Sequence, residues 1–225
     1  MTVDVIMLAR GATGHLRSMT QQAINSIHAS ERDIQFNIIV VETINEVTYK
    51  HCTVIHPDEK FNYNKFTKIG INNLPEDSEY VFFVNNDIHV HKDCAKRLMD
   101  ALLIYETVSP ANPMIGQHKN LRQEYTEGFN IWHGNAEFCG WAIMMKSDLA
   151  KENKERFFPD EIEAWYSDNW LTDVLRNDGY KHALVKFAKL DHFESKTLKT
   201  ISKEEHDYYT TGQKENYDKL LGGLE

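Results

Sequence analysis

Short apolar runs alternate with helically spaced apolar positions along the first half of the chain. The runs are rich in Val, Ile and Phe and hold few polar residues, a pattern typical of strands buried on both faces of a sheet. The predicted strands cover residues 3–9, 36–42, 53–56 and 80–84, and the predicted helices cover residues 15–30, 61–74 and 92–105. This alternation predicts a mostly parallel central sheet flanked by helices.

The second half of the chain is less regular. Residues 109–125 hold two prolines and a polar cluster, which predicts a loop. Further apolar patterns predict strands over residues 138–145 and 182–187 and helices over residues 148–154 and 167–177. No linker divides the chain, so we expect one α/β domain over residues 1–199, followed by a charged helical tail over residues 200–225.

The run from Tyr80 to Val84 ends on Asn85, Asn86 and Asp87. Open α/β sheets bind ligands beyond the carboxyl ends of their strands, which is where these amides and this acid are expected. The second predicted strand also ends on an acid, Glu42. The alternative interpretation is an ordinary strand that ends in an Asn/Asp turn.

Composition and charge argue against some classes of protein but do not identify a function. The chain has 225 residues, a net charge of -9 and 41% hydrophobic residues. This acidity argues against a broad basic surface for nonspecific nucleic-acid binding, and it suits a site that needs a divalent cation beside substrate phosphates. The mean hydropathy is -0.53, and neither a membrane span nor a signal peptide is visible. Three widely spaced cysteines without a C-x-x-C motif predict free thiols and a cytoplasmic protein.

Several separated motifs follow one another in a recognisable order. They are Glu42 at a strand end, Tyr63-Asn64-Lys65-Phe66-Thr67-Lys68-Ile69-Gly70-Ile71, Asn85-Asn86-Asp87, Phe158-Pro159-Asp160-Glu161, Tyr166-Ser167-Asp168-Asn169 and Asp191-His192-Phe193-Glu194-Ser195. In this order the chain resembles the GT-A glycosyltransferases of the family 2 type over residues 3–197. The D-x-D motif of those enzymes reads Asn85-Asn86-Asp87 here, with an amide in place of the first acid.

The resemblance implies a GT-A, Rossmann-like fold that transfers a sugar from a nucleoside diphosphate, UDP in the first instance, to a hydroxyl acceptor. It implies a nucleotide-binding half over residues 1–105 and an acceptor half over residues 106–199. A divalent cation, Mn²⁺ or Mg²⁺, would offset the charge of the leaving diphosphate. The expected ligands are Asp87 and, from the far end of the chain, His192, which suits Mn²⁺ better than Mg²⁺.

Donor contacts are expected around the ends of the strands and on the late histidine loop. The predicted donor-binding residues are Ala9, Arg10, Glu42, Lys65, Asn85, Asn86, Ser195 and Lys196. By resemblance Asp168 is the base of an inverting transfer, although a carboxylate at the start of a helix also serves as an N-cap. Expected acceptor contacts are Trp141, through stacking on a sugar, with Asp160 and Glu161.

Rival interpretations remain open at the level of sequence. Residues 10–14 hold only two glycines, which does not match the dinucleotide-binding fingerprint, and the chain lacks a phosphate-binding P-loop sequence. The Asn85 substitution leaves room for a non-catalytic sugar- or nucleotide-binding module. The acceptor is undetermined between a glycan, a small molecule and modified DNA. The last would make the chain a phage-type DNA glycosyltransferase acting on hydroxymethylated bases, with the basic and aromatic loop 118–125 against the phosphate backbone.

Overall fold

The strands form one sheet of nine strands in the computed structural model, which describes residues 1–111, 140–193 and 202–224 and the backbone of 129–131. The strands are β1 Thr2–Ala9, β2 Gln35–Glu42, β3 Thr53–Ile55, β4 Tyr80–Asn85, β5 Ile88–Val90, β6 Thr107–Ala111, β7 Phe129–Ile131, β8 Ala142–Lys146 and β9 His182–His192. The helices are α1 Gly14–Ser30, α2 Tyr63–Asn72, α3 Cys94–Ala101, α4 Ser147–Phe157, α5 Ser167–Asn177, α6 Lys203–Asp207 and α7 Gln213–Leu221, with a π-helical turn, Tyr208–Gly212, between the last two.

The order of the strands across the sheet is β3-β2-β1-β4-β8-β6-β9-β5, and β7 pairs with β9 beside this path. The first four strands are parallel to one another, which confirms the predicted α/β architecture of the first half. β8 then runs antiparallel to both β4 and β6, whereas β9 runs parallel to β6. Because β1, β2 and β4 point the same way, their carboxyl ends meet at one edge of the sheet.

The sheet carries an apolar layer on each face. Consecutive residues of β1 alternate between the layers, since Val5 and Met7 belong to one buried cluster and Ile6 to the other. Strands that contribute to both layers read as unbroken apolar runs, which is the pattern seen in the sequence. Helix α2 lies very close to β1, because a Cβ on Gly70 would stand 2.5 Å from the Ile6 side chain. Only glycine permits this approach of helix to strand.

The predicted elements are observed, and their ends shift by a few residues. Short β5 was not predicted because His89 stands between its two apolar residues, so that no apolar run is visible. Strand β6 contains Pro110 and falls partly in the predicted loop 109–125, so that prediction is wrong at its start. Pro110 lacks an N–H, and the ladder to β9 shifts register between Pro110 and Ala111. The predicted strand 138–145 begins at Ala142 in the described residues, and β9 extends beyond 187 to His192.

Residues 202–224, called the C-terminal segment below, pack onto the loop that precedes α5. The Tyr208 hydroxyl donates to Glu163 Oε1 at 2.7 Å, and the Glu163 amide donates to Gln213 Oε1 at 2.7 Å. The ring of Tyr217 stacks on Tyr166 with centroids 5.3 Å apart. The predicted tail is therefore helical, and it is docked on the domain through specific contacts.

Two further observations concern the helices and the cysteines. None of the helices in the described part of the chain combines the length and the apolar character that a membrane crossing requires. Cys52 and Cys94 are free thiols, and Cys139 lies outside the described residues.

Acid should destabilise the fold through His182. Its side chain is buried, Nδ1 lies 2.9 Å from Thr107 Oγ1, and burial lowers its pKa from 6.5 to about 3. As the pH falls from 6.5 towards 3, the unfolded chain binds a proton here that the folded chain does not. This site should therefore lower the free energy of unfolding by at most about 1.4 kcal/mol per pH unit.

Urea unfolding of wild type and His182→Asn at pH 7.5 and pH 5 measures this effect. The loss of stability between the two pH values should be smaller in His182→Asn, whereas the exposed-site control His15→Asn should behave as wild type. Equal losses in wild type and His182→Asn would contradict the prediction.

Candidate functional site

A cavity of about 540 Å³ lies at the carboxyl edge of the parallel strands. Its lining includes Ala9 and Asn85, the last residues of β1 and β4, Arg10 and Asp87 just after those strands, and His192 at the end of β9. This volume is in the range of small-molecule sites, and the position is the usual one for ligands of open α/β sheets. The cavity is therefore the candidate binding site, and it gathers much of the predicted donor and metal set.

Asp87 and His192 meet in this cavity. Asp87 Oδ1 lies 3.2 Å from His192 Nε2, and the two side chains are only 5% and 9% exposed. The amide nitrogen of Asn85 lies 3.3 Å from the same imidazole nitrogen, although Asn85 and His192 are 107 positions apart. Backbone contacts fix this meeting, because Ile88 pairs with His192 across β5 and β9 and the Phe193 amide donates to the Asp87 carbonyl at 2.8 Å.

Trp141 lies behind the imidazole. Its ring stacks on His192 with centroids 5.7 Å apart and an interplanar angle of 15°. The Trp141 carbonyl accepts from the backbone N–H of Asn85 at 2.9 Å, and Trp141 is 5% exposed. The indole was predicted to contact an acceptor, but the structure places it among buried residues, where it orients His192 instead of lining the cavity.

Glu42 lies beneath the cavity and is fully buried. Its Oε1 accepts from the amides of Gly11 at 2.8 Å and Ile44 at 2.9 Å, and its Oε2 accepts from the Tyr49 hydroxyl at 2.6 Å. Burial, and next the hydrogen bond to Glu42, raise the pKa of Tyr49. Glu42 thus holds together the loops after β1 and β2, including the loop that presents Arg10, and its carboxylate is already engaged by the chain.

Of the remaining predicted donor residues, the structure places one in the cavity and one on the surface, and two lie outside the described residues. Asn86 lines the cavity and donates to Thr20 Oγ1 at 3.0 Å, which ties the end of β4 to α1. Lys65 lies outside the lining, with Nζ 4.0 Å from Asp160 Oδ2 on the surface. Ser195 and Lys196, like the loop 118–125, lie outside the described residues.

The predicted acceptor acids do not face the cavity. The Asp160 carboxylate lies 2.6 Å from Lys68 Nζ, in a surface group of charges. Glu161 is exposed, and its carbonyl accepts from Asn216 of the C-terminal segment at 2.8 Å. In this structure Asp160 belongs to the charged surface, and Glu161 belongs to the attachment of that segment.

Asp168 is the second residue of α5 and does not cap it. The cap position is Tyr166, in the left-handed region with φ 70°, and its side chain makes no capping bond. Asp168 Oδ2 accepts from the Gly140 amide at 3.3 Å and Oδ1 from the Asn169 amide at 3.1 Å. The partial positive charge of the helix N-terminus favours the ionised carboxylate. Residue 140 must be small, because an added Cβ would stand 2.9 Å from Asp168 Cβ.

Tyr63 connects Asp168 to the cavity. It lines the cavity, and its hydroxyl donates to the Gly140 carbonyl at 3.4 Å. Burial, and next the negative charge of Asp168, raise the pKa of the phenol. Asp168 therefore lies just behind the wall that Tyr63 provides.

Sequence reasoning missed the aromatic lining of the cavity. The side chains concerned are Phe61, Tyr63, Trp165 and Tyr209. Tyr63 begins α2 and the Asn-containing motif, Phe61 lies two residues before it, and Trp165 comes three residues before Asp168. Their proximity to recognised motifs was therefore an available signal. Tyr209 had none, because only the docking of the C-terminal segment brings it to the site.

The side chains at the centre of the cavity fit a divalent cation in part. In the described ranges, His, Cys, Asp and Glu side chains form no group of three placed to hold a metal. Asp87 and His192 supply one carboxylate and one imidazole, with the Asn85 amide beside them. This mixed oxygen and nitrogen set suits Mn²⁺, with the remaining positions left to substrate oxygens and water.

His89 and His91 lie apart from this centre. His91 Nε2 is 2.9 Å from Asp191 Oδ2, and the two imidazole rings lie 5.5 Å apart between centroids. Neither histidine lines the cavity.

Comparison with known proteins finds structural similarity and no significant sequence similarity. No protein-family profile matches the sequence, and no curated protein shows significant sequence similarity. A crystal structure of S. aureus TarS 1–349 has a TM-score of 0.60 and 13% identity, covering 84% of this chain and 59% of that chain. A longer S. aureus TarS structure has a TM-score of 0.60 and 14% identity, covering 84% and 36% respectively.

GalNAc-T7, crystallised with UDP, GalNAc and Mn²⁺, has a TM-score of 0.62 and 10% identity and covers 85% of this chain and 43% of that chain. TarS and GalNAc-T7 are GT-A-type glycosyltransferases. At these identities the likeness shows the fold, so the GT-A fold predicted from the motifs is confirmed. The present chain spans 59% or less of the length of these structures.

Glu42→Ala should destabilise the protein by about 3 kcal/mol or more, because it leaves two buried amides and a buried hydroxyl without their acceptor. Glu42→Gln keeps an acceptor oxygen and should recover much of this loss. Chemical denaturation at neutral pH measures both, with Asp58→Ala as an exposed acidic control. A Glu42→Ala protein as stable as this control would show that the carboxylate does not hold the loops.

Proposed function

We propose that the chain is a glycosyltransferase that moves a sugar from a nucleoside diphosphate, UDP by preference, to a hydroxyl acceptor. The observation that carries this proposal is the meeting of Asp87 and His192, at 3.2 Å, in the cavity of a GT-A fold. The two residues are the predicted metal pair, and they come from distant parts of the chain. The cavity has the size and position expected for such a donor.

The diphosphate would lie between Arg10 and the Asp87–His192 pair, which line the same cavity. A divalent cation, Mn²⁺ or Mg²⁺, held by Asp87 and His192 would supply positive charge to the leaving diphosphate. Arg10 would add a fixed cationic donor of hydrogen bonds to the phosphate oxygens. Asn85 substitutes for the first acid of the family motif and offers an amide to the donor or to the cation.

Asp168 is proposed as the general base that accepts the proton of the acceptor hydroxyl, with inversion at the anomeric carbon. Its position in the first turn of α5 puts the carboxylate beside the partial positive charge of the helix N-terminus. Trp165, 38% exposed and three residues earlier, stands at the cavity where an acceptor would enter. For Asp168 to reach that acceptor, Tyr63 has to give way or relay the contact.

Replacement of Asp87 should remove the dependence of nucleotide binding on the cation. In Asp87→Ala, the affinity for UDP in Mn²⁺ should fall at least about tenfold, to the value seen in EDTA, because the carboxylate ligand is gone. Isothermal titration calorimetry with and without EDTA makes the measurement. Asp191→Ala, which removes the same charge outside the cavity, is the matched control. A variant whose UDP binding still tightens with Mn²⁺ as wild type does would refute the assignment.

Asp168→Asn should leave UDP binding intact and slow turnover of the donor about 100- to 10,000-fold, because it removes the base and little else. Hydrolysis of a panel of UDP-sugars in Mn²⁺ gives the rate, and Asp178→Asn, just after the same helix, serves as the control. Full activity of Asp168→Asn would disprove the base. A product that keeps the anomeric configuration of the donor, determined by NMR, would disprove inversion.

A further inference from the structure

The C-terminal segment contributes a wall of the cavity. Tyr209 is 8% exposed and lines the cavity together with Phe61. The two rings meet edge to face, with centroids 6.3 Å apart and an interplanar angle of 80°. Phe61 rests in turn edge to face on Phe66, at 5.4 Å, so the core supports this aromatic pair from behind. The pair is therefore a rigid apolar surface directed at the site.

This surface stands opposite the end of β1. The cavity lining joins Tyr209 to Arg10, and to Thr43 and Ile44 after β2. The pKa of Tyr209 is raised by burial and by the charges of Glu163 and Glu205, and Arg10 opposes that rise, which places the guanidinium within electrostatic range of the phenol. The aromatic pair thus belongs to the part of the cavity next to the proposed diphosphate position.

Glu42, one of the predicted donor-binding residues, is already engaged by the chain and does not line this part of the cavity. Glu42 is fully buried, and its carboxylate already accepts from two amides and a hydroxyl. A base bound near the ends of β1 and β2 would therefore gain little from this carboxylate. Contact with aromatic rings is the other common means of holding a planar base, and it tolerates different bases.

We propose that Tyr209 and Phe61 form the wall against which the base of the donor nucleotide packs, so that the C-terminal segment is part of the donor site. This proposal rests on the proposed glycosyltransferase function. It assigns the recognition of the nucleoside to contacts with aromatic rings, and it assigns to Glu42 the positioning of the Arg10 loop.

The attachment of the segment explains how Tyr209 keeps its place. Gln213, one helical turn further along, is 1% exposed and accepts from the Glu163 amide at 2.7 Å. Tyr208 is 43% exposed, its hydroxyl donates to Glu163, and its ring lies 4.9 Å from Lys60 Nζ and packs against the Tyr209 ring with centroids 5.3 Å apart. Gln213 and Tyr208 both hold Tyr209 in place, so a control substitution has to lie outside the C-terminal segment.

The test compares a ligand that has a base with one that has none. Binding of UDP, CDP, GDP and ADP is measured by calorimetry in Mn²⁺, and the tightest of them is compared with inorganic pyrophosphate. Tyr209→Leu should weaken nucleotide binding about 5- to 100-fold, because base–aromatic contact is lost, and should leave pyrophosphate binding unchanged. Tyr209→Phe should retain most of the nucleotide affinity, and Phe187→Leu, which replaces an exposed aromatic residue outside the cavity, should match wild type for both ligands.

Two results would overturn the inference while leaving the proposed function in place. One is wild-type nucleotide affinity in Tyr209→Leu. The other is an equal loss of nucleotide and pyrophosphate binding in Tyr209→Leu, which would mean that Tyr209 only holds the segment in place. Failure of the wild-type protein to bind any of the four nucleotides would instead overturn the proposed function, and this inference with it.

Discussion

The contact between Asp87 and His192 joins the two halves of this molecule. One side chain follows the central parallel strand β4, and the other ends β9, the last strand of the sheet. Both side chains are nearly buried, and an isolated charge in such a place is costly, so each depends on the other or on a bound cation. The cavity forms where these two strand ends meet, and the backbone pairing of β5 with β9 holds them there.

Buried side chains support the cavity from behind. Trp141 holds the plane of the His192 ring, and Glu42 ties together the loops after β1 and β2. Neither residue lines the cavity, yet both control groups that do. Sites that act on small ligands need this kind of second layer, since side chains on loops otherwise lose their geometry. The proposed chemistry thus depends on packing as much as on the polar groups themselves.

The sequence predicted the fold well where patterns were long, and it singled out Asp87 and His192, which the structure brings together in the cavity. Strands β1, β2 and β4 and helix α5 were visible from apolar runs or helical spacing, and Asp87 and His192 from their motifs. Short β5 and proline-containing β6 gave no such pattern. The surroundings of Glu42, Trp141 and Tyr209 were beyond reach for another reason: which side of a residue faces a cavity depends on contacts far away in sequence.

The position of β9 has a consequence for the synthesis and folding of the chain. Among the described strands, β9 comes last in sequence order, but it lies inside the sheet between β6 and β5. Its final residue is His192. During synthesis the parallel strands β1 to β4 are made first, and one edge of β4 has no partner strand until β8 has been made. Open edges of this kind favour association with other chains. Until β8 has been made, the edge of β4 is therefore open to association, and the cavity lacks His192 until β9 has been made.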